Sequence, residues 1–341
     1  MKRLTALLFV LAISACGTPA ASTSASPSVA AASPTPTSTP TPTAAPTTAA
    51  PTATAAPAAS ASLIPLPNVA QLSAPSANVV WALVASTRLF LSTDRGDTWK
   101  EEKQPAQTTD ALVSFIDDHE GWLASLGSPA TGCQTQSFAL SHTADAGATW
   151  SPLTVTGIPA AQCKNNLAFR DPTNGLVSAY DGTTAPAVYR TTDGGRTWTA
   201  NSQPLPQAPG STGGLTVASM RVFGSVALAD VSGQAKHYAY RSSDGGATWA
   251  YANTAPNQQD VIAFVTATRW LQISSPGNSK ETTDGGATWH AFTTDYQQAA
   301  PVAPVITFGD AQVGYATVRG AIQRTIDGGA HWTSIRTPGT F

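Results

Sequence analysis

The sequence predicts an all-β chain: a six-bladed β-propeller of four-stranded antiparallel blades, preceded by a disordered stalk. Three observations predict it. The motif S/T-x-D-x-G-x-T/H-W recurs six times at intervals the size of a propeller blade. Each copy is a tight-turn sequence set between short apolar runs. Everything between the first apolar segment and residue 63 has a composition that cannot bury enough apolar surface to fold.

The chain begins with an address. Lys2 and Arg3 form a basic start, and Leu4 to Ile13 is an apolar run too short to span a bilayer comfortably. Residues 1–15 are therefore expected to be a signal peptide. The order Ile13-Ser14-Ala15-Cys16 resembles the bacterial lipobox, in which the cysteine takes a diacylglyceryl group and becomes the first residue of the mature chain. That resemblance implies lipidation at Cys16 and a cell-membrane anchor on the extracytoplasmic side, because two or more acyl chains hold a protein stably. Residues 17–62 are Ala, Pro, Ser and Thr apart from Gly17 and Val29, and no charge occurs between Arg3 and Arg88. The expected domains are thus 1–15, signal; 16–62, lipidated cysteine and disordered linker; and 63–341, propeller. Fully extended, the linker's roughly 46 residues reach about 140 Å at ~3.1 Å each.

The repeat turns carry Asp94, Asp145, Asp193, Asp244, Asp284 and Asp327, and end on Trp99, Trp150, Trp198, Trp249, Trp289 and Trp332. Successive aspartates are about 51, 48, 51, 40 and 43 residues apart. Asp-Gly and Gly-Gly make tight turns because glycine reaches positive φ without strain. The carboxylate and the preceding hydroxyl are suited to bonding turn amides, and the Trp to covering the turn with an apolar face. A second pattern, F-x-D-x-x-x-G-aromatic or apolar, precedes the turns at Phe115–Trp122, Phe169–Leu176 and Phe308–Tyr315. Leu72–Trp81 and Phe264–Trp270 are degraded copies, and Arg221–Ala229 is poorer still. Blade 2 then reads as strands near 112–116, 121–126, 136–143 and 149–154, and 63–68 as a candidate outer strand near ring closure.

The S/T-x-D-x-G-x-T/H-W repeat resembles the Asp-box, or BNR, repeat of sialidases and related propellers. Combined with F-x-D-x-x-x-G-W it is more similar to propellers of the photosystem II stability/assembly-factor type. That resemblance implies an extracytoplasmic, non-catalytic protein that acts by binding others. Such relatives are described with seven blades; six turns leave room for six here.

Cys133 and Cys163 remain once Cys16 is assigned to lipid. One is expected in the loop between the second and third strands of blade 2, the other in the loop leading to blade 3. Both loops emerge on one face, and an exported compartment is oxidising, so a Cys133–Cys163 disulfide is predicted. Neither cysteine has ligand-spaced neighbours, so no metal is expected.

Chemistry is hard to find. A catalytic residue need occur once, whereas a scaffold residue recurs in every blade, so the repeated aspartates read as structural. Arg190, Arg241 and Arg324, each three residues before a turn aspartate, read as periodic strand positions. Mature glutamates are limited to Glu101, Glu102, Glu120 and Glu281, none placed at a channel mouth. His142, His290 and His331 read as exposed strand residues. Asp110, Asp181, Asp260 and Tyr296 fall in loops opposite the turns and form a candidate ligand face. A net charge of −2 and the lack of a basic aromatic stripe exclude nucleic-acid binding. The expected function is that of a monomeric scaffold, free of cofactors, that binds a protein or glycan on its loop face. The alternative is a cell-surface glycoside hydrolase of the Asp-box type, which needs paired carboxylates.

Overall fold

The computed structural model describes residues 70–105, 110–274, 277–297, 304–318 and 320–339. The expected signal peptide, Cys16, the stalk and the candidate strand at 63–68 lie outside the described residues. The rest forms six four-stranded antiparallel sheets, as the six repeats predict. Blade 1 holds β1 (Ala70–Ser73), β2 (Val80–Val84), β3 (Arg88–Ser92) and β4 (Lys100–Glu102). Blade 2 holds β5 (Asp110–Phe115), β6 (Gly121–Leu126), β7 (Phe138–Thr143) and β8 (Ser151–Leu153). Blade 3 holds β9 (Cys163–Phe169), β10 (Gly175–Tyr180), β11 (Ala187–Thr191) and β12 (Thr199–Ala200). Blade 4 holds β13 (Thr216–Phe223), β14 (Val226–Gly233), β15 (Lys236–Ser242) and β16 (Ala250–Thr254). Blade 5 holds β17 (Ile262–Phe264), β18 (Trp270–Gln272), β19 (Lys280–Thr282) and β20 (His290–Ala291). Blade 6 holds β21 (Val305–Phe308), β22 (Gly314–Val318), β23 (Ala321–Thr325) and β24 (Thr333–Ile335).

Burial follows strand position. The second strands are sandwiched between neighbouring sheets, so they read as near-continuous apolar runs: β2 is VWALV and buried throughout. The outermost strands, such as β4 with KEE and β8 with SPL, are largely exposed. The core therefore lies between blades. One cluster joins Trp122 and Leu140 of blade 2 to Phe169, Val177 and Trp198 of blade 3.

The F-x-D-x-x-x-G pattern is a packing device. The Phe that ends an inner strand lies over the glycine that starts the next one. A Cβ on Gly121 would sit 2.1 Å from the Phe115 ring, and on Gly314 2.6 Å from Phe308. The aspartate between them accepts turn amides: Asp117 Oδ1 takes the N–H groups of His119 at 2.7 Å and Glu120 at 2.6 Å. Asp171 and Asp310 repeat that arrangement. The same Phe also faces the preceding blade. Trp81 stacks on Phe115 with centroids 3.7 Å apart, and Trp122 on Phe169 at 3.8 Å.

Among the described residues each blade is one continuous stretch of chain, and no strand is shared to close the ring. Closure uses side chains instead. Ala74 and Val80 pack with Val313, Tyr315 and Ile322. Trp99 Nε1 donates to Arg336 O at 3.1 Å. Arg324 Nη1 donates to Arg95 O and Asp97 Oδ1, both at 2.7 Å. Arg241 reaches Ala267 O of the next blade in the same way, at 2.8 Å. These periodic arginines join neighbouring blades rather than face a ligand.

Candidate binding face and channel

The repeat turns are assembled from contacts within a few residues. In blade 4 the Ser242 hydroxyl donates to Asp244 Oδ1 at 2.7 Å and accepts Gly246 N at 2.8 Å. Asp244 Oδ1 also accepts Thr248 N at 2.9 Å, and Oδ2 accepts the Thr248 hydroxyl at 2.6 Å. The second positive-φ position of each repeat turn is glycine, as at Gly246 with +93°, whereas the position before it also takes Arg95 and Ala146. The bonds from Thr248 hold the Asp244 carboxyl down to about 2. The corresponding threonines hold Asp145 and Asp284 below the usual carboxylate range too. At Asp327 the partner is His331, whose Nδ1 lies 2.6 Å from Oδ2. Carboxylates tied so fully to their own turn are poor general bases, because both oxygens are already engaged.

The tryptophans of these turns divide by partner. Trp198, Trp249 and Trp332 are buried, and each indole donates to the carbonyl of its own turn glycine. Trp99 and Trp150 are half-buried and donate to the tail of the neighbouring blade instead, at Arg336 and Lys103. Trp289 is half-buried, and its indole nitrogen has no partner among the described residues.

The opposite face gathers the connections between second and third strands and those between blades. One part of it is formed by the β6–β7 loop and the connection from β8 to β9. Cys133, in a short 3₁₀ turn (Thr131–Cys133), is bonded to Cys163, with Cα atoms 5.0 Å apart. Cys163 is the first residue of β9 rather than a loop residue, so the bridge fastens the loop directly to blade 3. Beside it, Lys164 is 3% exposed and has no carboxylate partner. Its Nζ is ringed by the carbonyls of Gln136 at 3.1 Å, Pro159 at 2.8 Å, Ala161 at 3.0 Å and Gln162 at 2.8 Å. Burial lowers the ammonium pKa to about 8. Buried Gln136 completes the knot: its amide donates to Gly127 O, and its carbonyl accepts Lys164 N. Cys133→Ser is expected to lower unfolding free energy by roughly 3–4 kcal/mol, from the loop entropy released. Denaturant titration with and without reductant measures it; equal midpoints would mean the knot stands without the bridge.

The other sequence candidates are spread out. Asp110 opens β5 at an exposed position and accepts Ala111 N at 2.9 Å. Asp181, after β10, accepts the N–H groups of Thr183 and Thr184, both at 2.8 Å, and these hold its carboxyl well below the usual range. Asp260 accepts Asn257 Nδ2 at 2.8 Å. The structure brings these carboxylates into no common cluster. Among the described residues, the one group of three spaced to share a cation is exposed Asp117 and His119 with half-buried Asp118, in a turn on the other side. Tyr296 requires a correction: it is 1% exposed and packs against Trp332 at 5.4 Å, so it is core and not ligand face. The connection from β20 folds inward to bond the last repeat turn, with Asp295 Oδ1 accepting Trp332 N, and carries Tyr296 with it. Of the glutamates, Glu101 pairs with Arg88, Glu281 with Arg269, and Glu120 with His142, which is half-buried rather than fully exposed.

The six inner strands surround a channel with a 460 Å³ cavity. Its wall is mostly apolar and neutral polar, with Gln71, Ser114, Asn165 and Ser219 among the hydrogen-bonding groups. Several of these join successive blades: Gln71 Nε2 donates to Ala111 O, Asn166 Nδ2 to Val217 O, and the Ser219 hydroxyl to Ile262 O. Arg221 also lines it. Nearby, the buried Asp230 carboxylate accepts His237 Nδ1 at 2.8 Å and Ile262 N at 2.8 Å. Lys164, Arg221, Asp230 and His237 were not singled out by the sequence. The one available signal was a charged residue inside an apolar strand, as in Ala227-Leu228-Ala229-Asp230-Val231.

No family model matches the sequence, and no curated protein matches it. Among solved structures, a YCF48 bound to a D1 peptide shares 18% identity at a TM-score of 0.49, covering 80% of this chain and 82% of that one. YCF48 from Cyanidioschyzon merolae gives 18% and 0.49, covering 80% and 87%. A GH74 xyloglucanase from Xanthomonas campestris gives 16% and 0.30, covering 77% and 55%. Likeness at this level identifies no function.

Proposed function

We propose that the protein is a non-catalytic binding or assembly scaffold that presents its loop face to a protein or glycan partner. The observation that carries this reading is the knot formed by Cys133–Cys163, Lys164 and Gln136. A loop fixed in advance loses little entropy on binding, which favours recognition. Loops on a rigid scaffold are also the usual place for it. The carboxylates recurring in every blade are engaged by their own turns, which suits support rather than turnover. In this reading Cys16 is lipidated, and the propeller stands outside the membrane on its Ala/Pro/Ser/Thr-rich stalk as an Asp-box lipoprotein.

The test is crosslinking of intact cells carrying the tagged protein, followed by membrane solubilisation and identification of what co-purifies. A stoichiometric partner is expected, lost when residues of the 127–137 loop are replaced and reduced in a Cys16→Ser version. Turnover of fluorogenic glycosides, abolished by Asp110→Asn, Asp181→Asn or Asp260→Asn, would overturn the proposal in favour of a hydrolase.

A further inference from the structure

The channel holds a guanidinium that no carboxylate answers. Arg221 Nη1 donates to Thr307 Oγ1 and Nη2 to Phe308 O, both at 2.7 Å. Its guanidinium carbon stands 5.4 Å from the Phe223 ring centre. Those acceptors are neutral, and an arginine has five N–H donors. Among the described residues, no Asp or Glu lines the cavity. The other cation on its wall, Arg170, is answered by Asp171 at 2.9 Å. Arg221 is half-buried on the channel wall, and desolvation pulls its pKa down to about 10 with no acidic neighbour to raise it.

A charge in this position is costly unless something compensates it. The groups beside it do so only in part, since a hydroxyl and a carbonyl offer dipoles and not a counter-charge. The space in front of it is not filled by protein. At ~30 Å³ per water, the 460 Å³ cavity corresponds to about fifteen water volumes. That falls in the size range of small-molecule pockets, and it is too small for a folded partner. The remainder of the wall suits an organic body, with Leu112 and Phe264 supplying apolar surface.

We propose that the channel is an anion site that takes a small oxyanion, a carboxylate or phosphate on a metabolite-sized molecule, with Arg221 as its anchor. Arg221 would neutralise the oxyanion with donors not spent on Thr307 and Phe308. The site is independent of the loop-face reading: either can fail without the other.

The experiment uses the full-length protein purified in detergent. Its thermal midpoint, followed by tryptophan fluorescence, is measured against acetate, succinate and inorganic phosphate at ionic strength fixed with chloride. A saturable rise of several degrees is expected with at least one oxyanion, because a ligand that binds only the folded state stabilises it. Acetate and succinate against phosphate tell the carboxylate from the phosphate source. Arg221→Gln should abolish the rise, and Arg88→Gln, on β3 and outside the cavity wall, should leave it in place. If Arg221→Gln does not fold, bromoacetate or selenate soaked into crystals of the unaltered protein gives the second reading. An anomalous peak within hydrogen-bond distance of the Arg221 guanidinium supports the site. An unchanged rise in Arg221→Gln, or no saturable rise together with an empty channel, overturns it.

Discussion

Replacing Trp122 with alanine lowers the unfolding free energy by about 3–5 kcal/mol, the range for truncating a buried aromatic side chain. Trp122 is 1% exposed, and its ring is stacked on Phe169 with an interplanar angle of 5°. Its indole donates to Gly194 O in the repeat turn of blade 3 at 3.1 Å. The side chain thus supplies both an apolar plate and a polar tie between blades 2 and 3. Its removal opens a cavity and orphans a carbonyl. Trp122→Phe should recover part of the loss, by restoring the plate without the tie. Denaturant-induced unfolding, followed by circular dichroism, measures each variant. A loss under about 1 kcal/mol for Trp122→Ala would show that the neighbouring blades close over the gap, and would place the ring's cohesion elsewhere.

How much could be read from the sequence depends on how far apart the interacting residues are. Asp244 is bonded to Ser242 and Thr248, so its turn is written within a few residues. Phe115 and Gly121 meet across one hairpin, and their spacing repeats in other blades. Blade number and the four-stranded meander follow from such local patterns. The bridge between Cys133 and Cys163 was accessible because the meander places both loops on one face. The channel was not. Arg221 meets Thr307 across 86 residues of chain, and no local spacing announces that pair. Lys164 is surrounded by carbonyls, which any residue offers, so its acceptors leave no trace in side-chain type. Tyr296 looked like a loop residue because it follows a short outer strand. Its burial depends on the neighbouring blade's last repeat turn, a contact specified by Asp295 and Trp332 together.

The Asp230–His237 pair spans only 7 residues across one hairpin, but Asp230 also reaches Ile262 N, 32 residues on, and the pair carries the second large expected effect. Asp230 is 0% exposed, and its carboxylate joins β14 to β15 through His237 and blade 4 to blade 5 through Ile262 N. Asp230→Ala leaves a buried imidazole and a backbone N–H without their acceptor. A loss of about 3–5 kcal/mol is expected, as for other broken buried pairs. The pH dependence distinguishes this from a simple cavity. Burial alone lowers the His237 pKa, but the bond to Asp230 and the charges of Asp230 and Asp260 outweigh it, so the net direction is upward. A folded-state pKa above the unfolded value of about 6.5 means the folded chain keeps a proton that the unfolded chain releases. The pair's contribution is therefore fully present below that pH, and is lost as pH rises through the folded-state value. In Asp230→Ala the histidine loses its bonded carboxylate and keeps burial, opposed only by the charge of Asp260, so the sign reverses and its contribution improves as pH rises. Unfolding free energies at pH 6, 7.5 and 9 should fall for the unaltered protein relative to the variant. Parallel profiles would mean that Asp230 serves the strand junction through Ile262 alone, with the imidazole neutral throughout.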